Sequence, residues 1–385
     1  MAGAVINAYL PKDNSLANLL IYEGLIFLLS RTPHNIDSPS TITVNPEALR
    51  EVYENLDNGR IEMVNIAMAG KNDTGPVQKF LRKLKIKATK KITMYNVLLE
   101  LLNKKASSLP TLDTLQLTLS IRKKFVALGS FESKDDGFSI QLFKAERYTG
   151  LTSTELKFTT EQLTTYLSAE LLLIGLLGIY SSFVARVFEK SQYYYFLFFD
   201  AGEINQILND PIDLATLLSL KNDVRDEIQR IVEKHYSEEL LLTDLMVNVR
   251  LQRKLAQSNR SMISLHLVRV ALEGQAYKVY QHLPLKIYRR GDNMAYEFLS
   301  RLLDPDGPIL ERLRNRNNPE HSNLLQVVYG TYRYVTLDDE YGLYIALREL
   351  LNAAAKLDEK KKNESFLKRR YLSLASEFRR VMVLD

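Results

Sequence analysis

Lysine and arginine are concentrated in one short stretch of the chain, PVQKFLRKLKIKATKK at Pro76–Lys91. Seven cations fall within thirteen residues there, with no acidic residue between them: Lys79, Arg82, Lys83, Lys85, Lys87, Lys90 and Lys91. A phosphate backbone relieves the mutual repulsion of such a cluster by releasing counterions. No Gln or Asn side chains that could read base edges are interleaved, so we expect backbone contact rather than sequence readout.

The apolar residues of the same stretch predict the element that positions these cations. Val77, Phe80, Leu81 and Leu84 recur at i, i+3, i+4 and i+7, which is typical of a helix docked on a core by one face. The cations then lie along the sides and the tail of the helix. Three further cations at the start of a predicted hairpin extend the predicted nucleic-acid-binding set: Arg122, Lys123 and Lys124. An ordinary solvated face and an anionic membrane surface are the alternatives for this segment.

Motifs for catalysis or metal binding are missing from the sequence. The chain has no cysteine, which excludes disulfides and cysteine-ligated zinc or iron–sulfur centres. There is no nucleophile elbow, no Walker-type phosphate loop and no dinucleotide-binding glycine pattern. The histidines show no metal-ligand spacing along the sequence: His34, His235, His266, His282 and His321. We therefore predict a protein that is not an enzyme and that uses no cofactor or metal.

The charge distribution predicts two kinds of partner. The chain has 385 residues, of which 46% are hydrophobic and 25% charged, with a net charge of +5, as in a folded protein. Residues 71–150 contain sixteen Lys and Arg against seven Asp and Glu, whereas residues 200–245 contain four against eleven. One region therefore suits polyanions and the other suits basic surfaces of protein neighbours.

Hydrophobic patterns in the first half predict a mixture of helices and strands. Leu16–Leu29 is apolar nearly all round and predicts a buried helix. Alternating or β-branched runs predict strands at Thr41–Val44, Ile61–Ala69 and Thr114–Ser120. The turn at Lys134–Gly137 predicts a β-hairpin that joins the strands on either side of it.

Two strongly apolar runs raise the question of a membrane anchor. Leu171–Ala185 has fifteen residues, fewer than the roughly 20 that span a bilayer, so we predict a buried helix. Tyr193–Phe199 (YYYFLFF) is apolar on both strand faces, which is typical of a strand buried between layers. Asp200 and Glu203 then predict a capped helix. With no signal peptide at the start, we predict a cytoplasmic protein.

Helical periodicity dominates after Ile204. The helices predicted in this half are Val224–Tyr236, Glu238–Gln257, Ser261–Gln281, Asn293–Leu303, Pro308–Arg316, Leu324–Tyr329, Leu337–Leu357 and Ser365–Met382. The fold class predicted for the whole chain is α+β. A mixed α/β domain would occupy residues 1–202, and an all-α helical bundle would occupy residues 203–385.

This organisation resembles the large subunit of archaeal type I-A CRISPR interference complexes (Cascade). The resemblance includes the early helix with Tyr22-Glu23-Gly24-Leu25, the mixed first half, the strand YYYFLFF and the helical tail. It implies a non-catalytic, RNA-guided antiviral nucleoprotein subunit near the 5′ end of the guide RNA, which helps to recognise and hold target DNA. The implied partners are guide RNA, target DNA, the backbone and small subunits, and a helicase-nuclease, with no membrane.

Two other classes of function stay open. A guide-RNA processing ribonuclease of the same systems would need two ferredoxin-like halves and a glycine-rich loop near the C-terminus, whereas Gly342 is the last glycine. A scaffold protein could instead use the basic helix to bind an anionic membrane surface.

Overall fold

The computed structural model describes residues 3–38, 40–88, 91–122, 125–148, 164–188, 191–209, 214–233, 237–289, 294–304, 307–337 and 339–384. The strands are β1 Ala4–Ala8, β2 His34–Ser38, β3 Thr41–Val44, β4 Thr114–Leu117, β5 Leu119–Ile121, β6 Phe125–Leu128, β7 Thr164–Leu167, β8 Phe183–Phe188, β9 Gln192–Phe199, β10 Met262–Glu273 and β11 Ala276–Tyr288. The helices are α1 Leu16–Arg31, α2 Ala48–Glu54, α3 Asn58–Met63, α4 Lys71–Lys83, α5 Tyr95–Lys104, α6 Ala169–Ser182, α7 Ala201–Asn209, α8 Leu214–Val232, α9 Glu238–Val247, α10 Val249–Gln257, α11 Met294–Leu302, α12 Pro308–Leu313, α13 His321–Leu337, α14 Tyr341–Ala355 and α15 Lys362–Leu384.

The chain divides into two compact units. The first contains Met1–Lys221 and Ser264–Leu285, and the second contains Asn222–Ile263 and Lys286–Asp385. The first unit therefore extends past the boundary predicted at residue 202, and it also includes most of the β10–β11 hairpin. Mixed helix and strand content agrees with the predicted α+β class.

Three sheets belong to the first unit wholly or in large part. Their strand orders are β2-β3-β1-β4, β5-β6-β7 and β11-β10-β9-β8. The two apolar helices α1 and α6 pack on each other and both contact β9. Glycine allows this close approach: a Cβ on Gly24 would lie 1.8 Å from the Ile174 carbonyl oxygen, and one on Gly178 would lie 1.8 Å from that of Leu20.

The predictions for the apolar runs are confirmed. The strand predicted at Tyr193–Phe199 is β9, an inner strand whose residues Tyr194–Phe199 are all buried. The run from Leu171 forms α6, which is buried along its length except at Glu170. Asp200 accepts a hydrogen bond from the Glu203 amide at 2.7 Å, as expected for a helix cap.

The predicted all-α second half is wrong at Ser261–Gln281. This stretch forms β10 and the start of β11, joined by a turn at Gly274 (φ 61°). β10 pairs antiparallel with β9, and β8 pairs with the other edge of β9. A strand that is apolar on both faces is buried, so both of its backbone edges need sheet partners. The helical prediction for 261–281 left one of those edges without a partner.

The strand predicted at Ile61–Ala69 is also wrong. The Asp57 side chain accepts hydrogen bonds from the amides of Gly59 (2.7 Å) and Arg60 (3.4 Å), so the apparent turn residues cap helix α3. Of the remaining predicted strand, Ala67 alone pairs, in an isolated bridge with Met94.

The hairpin predicted around Lys134–Gly137 does not form. β6 pairs with β5 on one side and with β7 on the other, so both of its edges are taken. Phe138 forms an isolated bridge to Leu167, and a 3-10 helix follows at Gln141–Tyr148. The predicted strand Thr114–Ser120 is likewise divided between β4 and β5, which belong to different sheets.

The second unit is built mainly of helices. α13 and α14 cross closely where Gly330 faces Gly342, and α15 packs on α14. Stacked rings of Phe298 and Phe378, 5.1 Å apart, join α11 to α15. All five helices that the sequence predicts after residue 293 are therefore present, although their ends are shifted.

Candidate nucleic-acid interface

Helix α4, which carries most of the predicted cations, is fixed to the core by one buried carboxylate. Asp73 accepts hydrogen bonds from the backbone amides of Ala69 (2.8 Å) and Gln141 (2.7 Å). Burial raises the pKa of the Asp73 carboxyl, and the two amide hydrogen bonds oppose that rise. The first turn of α4 is thereby tied to the segment that leads into the 3-10 helix.

The predicted apolar stripe of α4 is confirmed. Val77, Phe80 and Leu81 are buried, as is Leu84 just past the helix. The Phe80 ring meets the Phe138 ring edge to face at 5.3 Å. This packing fixes which side of α4 faces solvent.

Lys79 and Lys83 both lie against the aromatic ring of Phe138. Their ammonium nitrogens are 5.4 and 5.6 Å from the ring centroid, within cation–π range. Lys79 also donates a hydrogen bond to the Gly137 carbonyl oxygen at 3.0 Å and is half-buried. Lys79 therefore helps to hold α4 in place, which distinguishes it from the other predicted cations.

Five exposed cations lie on α4 and the segment that follows it, and we call them the α4 basic surface: Arg82, Lys83, Lys85, Lys87 and Lys91. Within the described part of the chain, no acidic side chain forms an ion pair with any of them. After the helix the chain returns toward its start, where the Met68 amide donates to the Thr93 carbonyl oxygen at 2.7 Å. The cations are therefore distributed along α4 and the segment beside it.

The end of α4 has a geometry that usually requires glycine. Lys85 has a φ of 57°, and its amide donates to the Arg82 carbonyl while the Ile86 amide donates to that of Leu81. This is the Schellman arrangement of a helix C-terminus, in which glycine is the preferred residue at the left-handed position. Lysine occupies that position here and carries an exposed charge into the turn.

The remaining predicted site residues are not joined to this surface by a described contact. Arg122 follows β5, is exposed, and donates its backbone amide to the Phe125 carbonyl at 2.8 Å. Lys90, Lys123 and Lys124 lie outside the described residues.

Basic residues of the second unit are used differently. Arg312 binds the buried Glu320 with two hydrogen bonds, at 2.6 and 3.2 Å. Lys361 pairs with Glu364 at 3.0 Å, and Lys368 pairs with Glu359 at 2.7 Å. Several cations of this unit are thus neutralised locally.

The acidic region predicted to face a protein partner is also partly neutralised. Asp223 pairs with Arg250 at 2.5 Å and with Lys254, and Glu227 pairs with Arg230 at 2.8 Å. Part of the negative charge predicted for residues 200–245 is therefore used to join helices within the second unit.

The sequence did not predict one cluster of residues that could include a nucleophile, formed by Ser181, Glu23 and Lys221. Ser181 donates to Glu23 Oε1 at 2.5 Å, and Lys221 pairs with the same oxygen. The Lys221 and Glu23 side chains are 0% and 1% exposed, so a substrate has no access to them. The cluster is therefore structural. The available signal was a charged residue in an apolar helix, because a buried charge needs a partner.

The fold also brings together two histidines that the sequence separates. His266 Nε2 and His282 Nδ1 are 2.9 Å apart. Burial of His266 first, and then the nearby His282, lower the pKa of His266 to about 4. No group of three His, Asp or Glu residues suited to a metal ion occurs among the described residues.

None of the described helices combines the length and the apolar content needed to cross a bilayer. The fold and surface define a two-unit α+β protein with an exposed basic surface, whose cations form no ion pair among the described residues. Over 365 residues the chain is 33% identical to an uncharacterized protein of Archaeoglobus fulgidus, and the match covers 90% of this chain and 92% of that protein. The chain belongs to the same protein family as this archaeal protein. No protein-family profile matches it.

Proposed function

We propose that this protein is a non-catalytic nucleic-acid-binding subunit and that the α4 basic surface contacts the phosphate backbone. The observation that carries this proposal is the exposure of five cations with no acidic partner among the described residues. Such charges bind phosphates at little desolvation cost and release counterions when they do so. Paired cations of the second unit would first have to break existing ion pairs.

We further propose that the chain acts as the large subunit of an RNA-guided interference complex in the cytoplasm. The sequence resemblance motivates this assignment, and membership of a family with an archaeal relative is compatible with it. In such a complex base pairing reads the sequence, while the protein supplies charge and shape. Contacts from the α4 basic surface to the phosphate backbone fit that division, because they supply charge and do not read the sequence.

The test is binding of labelled duplex DNA, single-stranded DNA and single-stranded RNA over a salt series. The variant replaces Arg82, Lys83, Lys85, Lys87 and Lys91 by Ser. We expect its affinity to fall on the order of a hundredfold at low salt. For each phosphate that the variant no longer neutralises, the salt slope should decrease by roughly 0.9 with duplex DNA and by roughly 0.7 with the single strands.

A matched control removes five exposed cations from the second unit: Arg314, Arg316, Lys360, Lys362 and Arg369, each replaced by Ser. Both variants change the net charge equally, so a general charge effect would weaken them alike. Wild-type affinity in the α4 variant together with weak binding in the control would move the interface to the helical unit. Absence of binding by the wild-type chain to all three nucleic acids would reject the proposed function.

A further inference from the structure

A tyrosine and arginine cluster lies on the sheet formed by β9, β10 and β11. The guanidinium carbon of Arg269 lies 3.8 Å from the centroid of the Tyr193 ring, so the charged group covers that ring. The Tyr193 ring in turn meets the Tyr280 ring at 5.4 Å and 85°. Tyr280 is therefore supported on one side by Tyr193, which lies on an inner strand and is itself covered by Arg269.

Tyr280 is the solvent-facing member of this cluster. It is 48% exposed, whereas Tyr193 and Arg269 are half-buried. It lies on β11, which is the edge strand of its sheet, and His282 is exposed two residues further along the strand. An aromatic ring that is fixed on one side and open to solvent on another has the geometry of a base-stacking platform.

The hairpin that carries Tyr280 is bonded to the start of the basic helix. The side-chain amide of Asn72 in α4 donates to the Gln275 carbonyl oxygen of the β10–β11 turn at 3.0 Å. Tyr277 in β11 donates its hydroxyl to the Ala67 carbonyl oxygen, three residues before Gly70. One unit therefore holds the cations and the exposed ring on directly connected elements.

We propose that Tyr280, supported by Tyr193 and Arg269, stacks on an unpaired base of a single-stranded nucleic acid whose backbone lies on the α4 basic surface. This inference rests on the proposed function. It adds a substrate class, because bases in a duplex are already stacked on each other and present no free face to a protein ring. Single-stranded binding proteins combine a basic groove with aromatic rings in the same way.

A purely structural role for Tyr280 predicts a different outcome. Its ring would then stabilise the sheet through Tyr193, and its loss would lower stability without distinguishing between nucleic acids. The two roles are separated by comparing ligands that differ in their bases while sharing the same phosphates.

The experiment measures the affinity of wild type and Tyr280→Ala for four probes of equal length: single-stranded DNA, single-stranded RNA, an abasic single strand and duplex DNA. We expect Tyr280→Ala to lose about tenfold in affinity for the first two, since one stacked base contributes at about that level. Binding to the abasic strand and to the duplex should be unchanged, and so should the salt slope. Comparing the affinities for single-stranded DNA and single-stranded RNA identifies the preferred sugar.

Two further variants control for folding and for surface tyrosines in general. Tyr280→Phe keeps the ring and should bind within about twofold of wild type. Tyr9→Ala removes another exposed tyrosine of the first unit, 62% accessible, and should have no effect. Equal wild-type affinity for the abasic and the normal strand, or unchanged binding by Tyr280→Ala, would overturn this inference. The α4 variant would still report on the proposed function separately.

Discussion

Lysine is used in two opposite ways within the first unit. Lys221 is completely buried, and its ammonium group pairs with Glu23 and lies 3.4 Å from the Leu197 carbonyl oxygen. Lys85 and Lys87, just after α4, are exposed and have no ion pair among the described residues. The same side chain is thus fully neutralised in one place and left uncompensated in the other.

The difference follows from the cost of removing a charge from water. A buried ammonium group loses several kcal/mol of hydration, so it persists only with a carboxylate and further hydrogen-bond partners. An exposed ammonium group keeps its hydration and costs little. Burial therefore assigns Lys221 to the stability of the fold, whereas exposure leaves the α4 cations available for a ligand.

Removing Lys221 should produce the largest effect. In Lys221→Met the Glu23 carboxylate stays buried without its cation, and we expect a loss of about 3–5 kcal/mol in the free energy of unfolding. Urea denaturation followed by circular dichroism measures this loss. The double variant Glu23→Leu/Lys221→Met should recover most of it, because an apolar pair leaves no unpaired charge. A double variant as unstable as the single one would show that the ion pair itself is not the cause.

The second unit offers a third case for comparison, the buried carboxyl of Asp244, which has acidic neighbours. Burial, and then the nearby charges of Glu227 and Asp304, raise the pKa of Asp244 to about 7, while Arg230 opposes them. Its Oδ2 atom has no described hydrogen bond. The folded protein therefore holds the Asp244 proton more tightly than the unfolded chain does.

Asp244→Asn should remove a pH dependence rather than a contact. Below about pH 4 Asp244 is protonated in both the folded and the unfolded protein, so it imposes no cost on folding. As the pH rises from there through 7, the unfolded chain releases this proton first, and the free energy of unfolding falls. The full cost above pH 7 is about 4 kcal/mol, since a tenfold change in proton affinity equals about 1.4 kcal/mol. The variant should be more stable than wild type at pH 8 and nearly equal at pH 4. Parallel stability profiles for the two proteins between pH 4 and 8 would contradict this.

How much the sequence predicts depends on whether a signal is local. The apolar runs that form α1, α6 and β9 were recognised, because continuous burial leaves a continuous pattern. The amphipathic helix α4 was recognised from its spacing. Strand β10 was not, because apolar residues on both faces of a strand also satisfy a helical period, and only its pairing with β9 decides between them. Strand β11 was not either, because it lies beside β10 at the edge of the sheet and depends on that strand for its partner.

The candidate site shows the same limit. Exposure of Arg82 and Lys83 follows from their position opposite the apolar stripe, whereas the hydrogen bond of Lys79 to Gly137 depends on a segment 58 residues away. The Glu23–Lys221 pair joins residues 198 apart, and the Tyr280 cluster joins three strands. Long-range partners leave only indirect traces in the sequence, such as a charge within an apolar helix.

The smallest expected effect is on the stability of the five-cation α4 variant. Exposed charges without ion pairs contribute little to folding, and the Lys83–Phe138 contact adds about 0.5 kcal/mol. Replacing Arg82, Lys83, Lys85, Lys87 and Lys91 by Ser should therefore change the free energy of unfolding by no more than about 1 kcal/mol. Relief of repulsion should stabilise the variant slightly at low salt, against a small loss where Arg82 and Lys83 favour the helix C-terminus. Thermal unfolding at 20 mM and 500 mM salt measures both contributions, with Lys221→Met as the destabilised reference. A loss above about 2 kcal/mol would make these cations part of the fold, and weaker binding by the variant would then reflect unfolding rather than a lost interface.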